Sequence, residues 1–229
     1  MKLLHKFIAA TLAVSLLAGC SSEPKKEGPP SDKDFILNVS KGLEARWELA
    51  DNEDTDSYSS AELQKAYTKF LKAETDAVGK ESKYKFKDKD LKKVADTYYK
   101  GLKLQEEGIQ YAGTDDYTNQ EKTWELGYNY RALAIHEFEK DYGLTVNSKY
   151  KSDLDDFLSQ YSVAKKEVAI QEFVDNLQES IQYTKDESQS DEYTTYYSAI
   201  IENTTEYTID SLSIQLDFLD GSGVILYQV

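Results

Sequence analysis

Residues 118–143, TNQEKTWELGYNYRALAIHEFEKDYG, carry the clearest helical pattern in the chain. Thr118 and Glu121 have the spacing of a capping box at a helix start, and Gly143 stands where helices often end in a left-handed residue. Between them, large side chains recur at alternating spacings of four and three residues: Trp124, Tyr128, Arg131, Ile135, Phe138 and Tyr142. This spacing places them on one face, so the stretch predicts a long amphipathic helix that packs against other helices.

The same periodicity continues toward the N-terminus, where three capping patterns predict three more helices. Ser31 with Asp34, Ser59 with Glu62, and Asp88 each precede a run with helical spacing. The positions on the predicted faces are Ile36, Val39, Leu43 and Trp47, then Leu63, Ala66, Tyr67 and Phe70, then Leu91, Ala95, Tyr98, Leu102, Gln105 and Ile109. A polar connector at 51–59 and a looser segment at 78–87 separate the three helices.

Beyond Gly143, two more apolar groups have helical spacing but differ in phase. They are Leu154, Phe157, Leu158 and Tyr161, then Ile170, Phe173, Leu177 and Ile181. The slip between the two groups predicts either two helices or one long helix with a break. No proline follows Pro30, so the commonest helix breaker is missing. Residues 31–184 are therefore predicted to form an antiparallel bundle of five or six helices.

Near the C-terminus the pattern changes from helical to alternating. Residues 185–192 have no apolar side chain and are predicted to form a linker. After it, larger side chains alternate with polar or smaller ones in two runs: Tyr197, Ala199 and Ile201, then Leu212, Ile214, Leu216 and Phe218. Residues 220–223, DGSG, favour a hairpin turn before a last strand at 224–229. Residues 193–229 are thus predicted to be a small antiparallel β segment, which makes the fold class α+β.

Two short motifs stand out in this segment: residues 203–205, NTT, between two predicted strands, and residues 216–220, LDFLD. This arrangement resembles the first half of the FxLyD-type β-sandwich domain found at the C-terminus of many bacterial lipoproteins. That family has Phe, Leu and Tyr where this chain has Leu216, Phe218 and Leu219, so only the hydrophobic character and the final Asp match. A sandwich needs more strands than three. Either truncation or mutation interrupts the sheet, or its strands pack on the helices, or a strand from outside completes it.

The N-terminus has the layout of a secretory leader. A short basic start precedes an apolar run at 7–16, which is too short to span a membrane. Residues 17–20, LAGC, then resemble the lipobox of bacterial lipoproteins. The resemblance implies cleavage between Gly19 and Cys20, with 1–19 as the signal peptide and a diacylglyceryl group on the Cys20 sulfur. Two acyl chains suffice for stable anchoring, so the extracytoplasmic face of the cell membrane is the expected location.

Composition adds three expectations. Residues 20–30 hold all three prolines and show no apolar periodicity, so they are predicted to be a tether. Cys20 is the only cysteine, which excludes a disulfide. Arg46 and Arg131 are the only arginines, whereas Tyr occurs 18 times; this usage is typical of an AT-rich Gram-positive genome.

The chain is strongly acidic. Its net charge is −15, and it becomes two units more negative once the two leader lysines are removed. Such a charge repels nucleic acid and anionic lipid headgroups, which argues against both as partners. Such a net charge ordinarily serves only to keep a protein surface well hydrated. The alternative is that it attracts a cation-rich or basic protein partner.

Arg131 is unusual because a charged side chain falls on the apolar face of the long helix. One interpretation is that it pairs with a carboxylate of a neighbouring helix and so fixes the register. The alternative is a pocket between helices in which Trp124, Tyr128 and Arg131 hold an anionic or sugar-like ligand.

Several chemistries lack the side chains that they need. His136 is the only histidine once the leader is removed, so zinc sites, Cys–His pairs and Ser–His–Asp triads have no complete set, and we interpret this histidine as incidental. Residues 51–56 with Glu62 approach the spacing of a calcium loop, but Asp56 stands where that loop needs glycine. No metal and no cofactor is expected.

These observations favour a lipid-anchored surface protein that is not an enzyme and that binds another protein or a cell-wall component. The alternative is an enzyme that acts on wall glycan or peptide through carboxylates. A solute receptor is disfavoured because the βαβ alternation of such receptors is missing.

Overall fold

The computed structural model describes residues 30–193, 195–213, 217–219, 222 and 225–228. The leader, with Gly19 and Cys20, lies outside these residues, as do Ile214, Leu216 and three of the four residues of the predicted hairpin turn. Within the described residues, no helix combines the length and the hydropathy that crossing a bilayer requires.

The described chain first forms a bundle of helices. Its α-helical segments are α1 (Asp32–Asp51), α2 (Ser60–Val78), α3 (Lys89–Gly108), α4 (Tyr117–Gln120), α5 (Leu126–Tyr142), α6 (Lys151–Ser159) and α7 (Tyr161–Ser180). A π-helical turn at Glu121–Glu125 joins α4 to α5 in one continuous helix, so the bundle has six helices. Single 3₁₀ turns lie at Glu81–Lys83, Ile109–Tyr111 and Ser148–Tyr150. This architecture confirms the predicted helical bundle with a small β segment after it.

The first three helices begin at the residues that the sequence predicts. The Ser31 backbone N–H and hydroxyl donate to the Asp34 carboxylate at 2.6 and 2.7 Å. Ser59 makes the same two bonds to Glu62, at 2.8 and 2.6 Å. The Asp88 carboxylate accepts from two N–H groups in the first turn of α3. The carboxylates of Asp34, Glu62 and Asp88 therefore accept hydrogen bonds from N–H groups that a helix start leaves without a partner.

The long central helix begins earlier than predicted. Its first residue is Tyr117, and the Asp116 carboxylate accepts a hydrogen bond from the Asn119 N–H at 3.3 Å. The predicted capping box at Thr118 is therefore wrong, because the aspartate two residues earlier takes the capping position. The predicted end is confirmed: the helix stops at Tyr142, and Gly143 is left-handed, with φ 69° and ψ 32°.

Helix α5 is the central helix of the bundle. It packs against both α3 and α7, while α1 packs against α2. Phe35 of α1 reaches α5 and α3, with its ring centroid 5.5 Å from that of Phe138 and 6.5 Å from that of Tyr98. Because several helices surround it, α5 also buries residues outside its predicted face, such as Tyr130 and Ala134.

Helices α3 and α5 come into direct backbone contact at two glycines. A Cβ added to Gly101 would lie 2.6 Å from the Gly127 carbonyl oxygen, and one added to Gly127 would lie 2.7 Å from the Gly101 carbonyl oxygen. The Gly101 Cβ would also lie 2.7 Å from Arg131 Cγ. The missing side chains thus allow the approach that brings Arg131 against α3.

A break at Gln160 separates α6 from α7, which selects the two-helix alternative for residues 151–180. After α7, strands β1 (Thr184–Asp186) and β2 (Tyr196–Ser198) pair antiparallel, with Lys185 opposite Tyr197. Strands β3 (Asp217–Leu219) and β4 (Ile225–Gln228) form a second antiparallel pair.

Two details of the predicted β segment are wrong. Strand β1 includes residues 185–186 of the predicted linker, because strand pairing uses main-chain groups and does not require apolar side chains. Strand β2 ends at Ser198, so Ala199 and Ile201 lie outside it. Of the three larger residues in the predicted run, only Tyr197 therefore lies in β2. A run of this length is too short to fix where a strand begins and ends.

Candidate functional site

Four helices each place one polar side chain at the centre of the bundle. They are Arg46 of α1, Glu74 of α2, Gln105 of α3 and Arg131 of α5, which we call the arginine cluster. Glu74 and Gln105 are completely buried and Arg131 is 1% exposed, while the Arg46 side chain is 13% exposed. Both arginines of the chain therefore lie together inside the protein.

The arginine cluster is held by short, charge-assisted hydrogen bonds. Arg131 Nη2 lies 2.7 Å from both Glu74 carboxylate oxygens, and Arg46 Nη1 lies 2.9 Å from Glu74 Oε2. Gln105 Oε1 accepts from both guanidinium groups, at 2.9 Å from Arg131 and 3.1 Å from Arg46. The Tyr98 hydroxyl donates to Glu74 Oε1 at 2.6 Å. The carboxylate thus has partners from three other helices.

Electrostatics keep Glu74 ionised although it is buried. Burial by itself raises the pKa of Glu74, but the charges of Arg131 and Arg46 and the Tyr98 hydroxyl bond outweigh it, so the pKa lies well below its usual value. Burial raises the pKa of Tyr98 well above its usual value, so its hydroxyl remains a donor. A carboxylate with so low a pKa and so many donors is a poor general base.

The arginine cluster therefore links four helices through hydrogen bonds and ion pairs. With two guanidinium groups and one carboxylate, it carries one net positive charge in the interior. Two of its donors, Arg131 Nε and Gln105 Nε2, are buried without a hydrogen-bond partner. The pairing of Arg131 with a carboxylate on a neighbouring helix is the arrangement that the first interpretation of the sequence describes.

The structure does not bring the three predicted pocket residues into one cavity. Trp124 and Tyr128 line an open cavity of about 650 Å³ between the N-terminal part of the long helix and α7, which we call the α5–α7 groove. Arg131 is not among its lining residues. Other residues that line the groove are Gln120, Asn129, Gln160, Val163 and Gln171.

Arg131 nevertheless lies behind this groove. Its guanidinium carbon is 5.2 Å from the Phe157 ring centroid, and that ring is 4.4 Å from the Tyr128 ring. The Arg46 guanidinium carbon is likewise 5.7 Å from the Trp124 ring centroid. The arginine cluster therefore supports both aromatic residues of the groove from inside the bundle.

Other candidate residues have ordinary surroundings. His136 is half-buried and stacks on Tyr161, with ring centroids 3.7 Å apart. Glu62 of the calcium-like spacing is engaged in the α2 cap. Within the described ranges, no group of three or more His, Cys, Asp or Glu side chains could hold a metal ion.

Exposed aromatic side chains surround strands β1 and β2. Five large apolar side chains there are exposed by 44, 90, 48, 60 and 96%, and we call this set the tyrosine surface: Tyr183, Tyr193, Tyr196, Tyr197 and Ile200. Tyr196 and Tyr197 follow each other in β2, so their rings lie on opposite faces of the strand pair. Residues 183–202 contain five carboxylates and one lysine. That lysine, Lys185, already pairs with Glu187 at 3.0 Å. The tyrosine surface is therefore both aromatic and negatively charged.

Comparison of the chain with protein-family models, with curated proteins and with solved structures finds no match. The likenesses to a lipobox and to the FxLyD-type domain therefore stay predictions, and function has to be argued from the residues.

Sequence reasoning missed two members of the arginine cluster, Arg46 and Glu74. A pattern for Glu74 was present, because it stands midway between Phe70 and Val78 at the four-residue spacing of a buried helix face. A charged residue in such a position predicts a buried partner of opposite charge. Its partner Arg131 is 57 residues away, so no local spacing connects them.

Proposed function

We propose that the protein is a lipid-anchored interaction module, not an enzyme, on the extracytoplasmic face of the cell membrane, and that it binds a basic protein partner. The tyrosine surface is the observation that supports this most directly. Groups of exposed aromatic side chains on a soluble domain commonly mark protein-binding sites. Tyr193, 90% exposed, and Tyr197, 60% exposed, bury little against this chain and are available to a partner.

The backbone beside the tyrosine surface offers a way to bind a partner. Among the described strands, β1 and β2 pair only with each other, so each has an open edge. An isolated two-stranded sheet is only marginally stable in water, and an open edge accepts an extended segment of another chain. A partner strand added to β2 would complete main-chain hydrogen bonds, and its alternating side chains would contact Tyr196 on one face and Tyr197 on the other.

Charge selects which partner fits. The carboxylates around the tyrosine surface attract lysine and arginine side chains, and tyrosine rings favour contact with such cations. The same charge repels acidic polypeptides and nucleic acid. A segment that alternates basic and apolar residues is therefore the best match.

Anchoring through Cys20 would place this surface outside the membrane. The predicted tether at 20–30 would separate the helical domain from the lipid headgroups, and anionic lipids would repel the acidic body. The tyrosine surface would then face soluble or wall-bound partners.

Binding of a basic partner is tested with a short peptide of alternating lysine and valine. The peptide is titrated into native full-length protein in a non-ionic detergent. We expect saturable binding by calorimetry that weakens by about tenfold in Tyr196→Ser/Tyr197→Ser. The matched control is Tyr117→Ser, because Tyr117 is also exposed, by 70%, but lies in α4. Equal binding of a glutamate–valine peptide, or equal loss in both variants, would contradict the proposal.

Anchoring is tested separately by the intact mass of protein extracted from membranes. We expect loss of residues 1–19 and a diacylglyceryl adduct on Cys20. A retained leader with a free thiol would refute the anchor without affecting the peptide result. Turnover of wall glycan or peptide that is abolished by a single Asp or Glu substitution would favour the enzyme alternative.

A further inference from the structure

The α5–α7 groove contains polar groups that the protein itself does not use. Trp124, Tyr128, Gln120 and Asn129 line it, and the polar groups of these side chains have no hydrogen-bond partner among the described residues. Its volume of about 650 Å³ lies in the range of small-molecule sites. The groove therefore offers unpaired donors and acceptors on one concave surface.

The two aromatic residues of the groove are held rigidly. Tyr67 stacks on the Trp124 indole with ring centroids 4.9 Å apart and an interplanar angle of 17°. Phe157 contacts the Tyr128 ring, and the two arginines lie behind these rings. Because their positions are fixed before a ligand arrives, little side-chain entropy is lost on binding.

The π-helical turn at Glu121–Glu125 also points to a function at this place. Such a turn interrupts the regular hydrogen bonds of a helix and occurs frequently at functional sites. Trp124 belongs to this turn. Helix α3 abuts it so closely that a Cβ on Gly108 would lie 2.6 Å from Trp124 N. The backbone here is therefore irregular but tightly supported, as expected of a position that presents a side chain.

The chemistry of the groove selects the ligand class. Carboxamides donate and accept hydrogen bonds without carrying charge, and the aromatic edges with Val163 supply apolar contact. A sugar ring presents hydroxyl groups around an apolar C–H face, which matches this combination. The groove is also lined by Glu121, Glu125 and Glu167 with Lys122 as the only cation among its lining residues, so an anionic ligand is disfavoured.

We propose that the α5–α7 groove is a binding site for an uncharged oligosaccharide, with Trp124, Tyr128, Gln120 and Asn129 as its contacts. Arg46 and Arg131 are positioning residues that hold the two aromatic side chains from behind. The site is separate from the tyrosine surface, so either proposal can fail while the other stands.

The test uses tryptophan fluorescence of the native full-length protein carrying Trp47→Phe, in a polyoxyethylene detergent that contains no sugar. Trp124 is then the only tryptophan, and its emission reports on the groove. The probes are an uncharged N-acetylglucosamine tetramer, an uncharged glucose tetramer, and a galacturonate tetramer as the anionic control. We expect a saturable change with at least one uncharged probe and none with the anionic one.

Two matched variants locate the binding. Val163→Arg fills the groove at a side chain that is 54% exposed, so the fold is retained, and it should weaken binding by about tenfold or more. Thr68→Arg makes the same change in a different cavity, between α2 and α3, and should leave binding unchanged. Tyr128→Phe, which removes only a hydroxyl, should weaken binding less than Val163→Arg does.

Three results would overturn the proposal: no saturable response to either uncharged probe, an equal response to the anionic probe, or equal effects of Val163→Arg and Thr68→Arg. Thermal unfolding followed by circular dichroism verifies that each variant is folded. Tyr196→Ser/Tyr197→Ser should bind sugar normally, which separates this site from the proposed protein-binding surface.

Discussion

The helical domain and the β segment use tyrosine in opposite ways. In the helical domain, Tyr98 is fully buried and its hydroxyl donates to Glu74 at 2.6 Å. In the β segment, Tyr193 and Tyr197 are exposed by 90 and 60%. A tyrosine is thus a core residue where another helix supplies both apolar contact and a polar partner, and a surface residue where the chain supplies neither.

The two regions also differ in how many of their side chains and backbone groups are paired or buried within the protein. The helical domain buries most of its large apolar side chains, and it pairs its buried carboxylate, Glu74, with two arginines. Strands β1 and β2 leave side chains exposed, and among the described strands they pair only with each other, so their outer backbone edges are open. An exposed ion pair joins the two regions: Lys165 lies 2.6 Å from Glu206, and both side chains are about half exposed. An exposed pair of this kind contributes little to the free energy of unfolding.

The largest expected effect is on the arginine cluster. Glu74→Ala leaves two guanidinium groups buried without a carboxylate, and we expect the free energy of unfolding to fall by about 3–5 kcal/mol. Urea unfolding followed by circular dichroism at 222 nm, a wavelength dominated by helix, measures this loss. The matched control is Glu107→Ala, because Glu107 is half exposed and its carboxylate, among the described residues, pairs only with Lys103 at 3.5 Å.

A loss below about 1 kcal/mol would mean that the buried pair is not what joins the helices. Replacing Arg46, Glu74 and Arg131 together by methionine or leucine sharpens the test. Because no charge is then left unpaired, we expect most of the lost stability to return. Sugar binding in the groove should nevertheless weaken, since Trp124 and Phe157 lose the guanidinium groups behind them.

The pH dependence of stability is the second test of the same residue. The pKa of Glu74 is lower in the folded protein than in the unfolded chain, where it is about 4.3. Its contribution is therefore complete above that value and is lost as the pH falls toward the folded pKa. Between pH 6 and about pH 3, Glu74→Gln should lose less stability than the unsubstituted protein. The free energy of unfolding is measured by urea titration at each pH. If it fell equally with pH in both proteins, Glu74 would not be ionised in the folded state.

A smaller effect is expected where α3 and α5 touch. Gly101→Ala places a Cβ against the Gly127 carbonyl oxygen and against Arg131, so the helices must move apart. We expect a loss of about 1–3 kcal/mol, although alanine favours helix over glycine. Gly143→Ala is an informative control, because nothing lies within 4 Å of its Cβ and only its left-handed backbone opposes the change. A gain in stability for Gly101→Ala would show that the two helices can separate freely.

The features that the sequence predicted correctly are local ones. Ser31, Ser59 and Asp88 mark helix starts, because each cap and its hydrogen-bond partner lie within three residues of each other. The partners of Arg131 could not be found in this way, since Glu74 and Gln105 are 57 and 26 residues away. The contact between Gly101 and Gly127 was equally hidden, because a glycine in a helix ordinarily only lowers its stability. Strand β1 was missed because its side chains have no pattern.

The smallest expected effect is in the β segment, and it decides whether the comparison holds. Tyr196→Ser/Tyr197→Ser removes two rings that are already 48 and 60% exposed, so the free energy of unfolding should change by no more than about 0.5 kcal/mol. In the helical domain, Tyr98→Phe removes a single hydroxyl but leaves Glu74 with one donor fewer, and should cost about 1–3 kcal/mol. Both variants are compared in the same urea titration. If the two exposed rings cost as much as the one buried hydroxyl, they must pack against the bundle, and they could not serve as a surface for another protein.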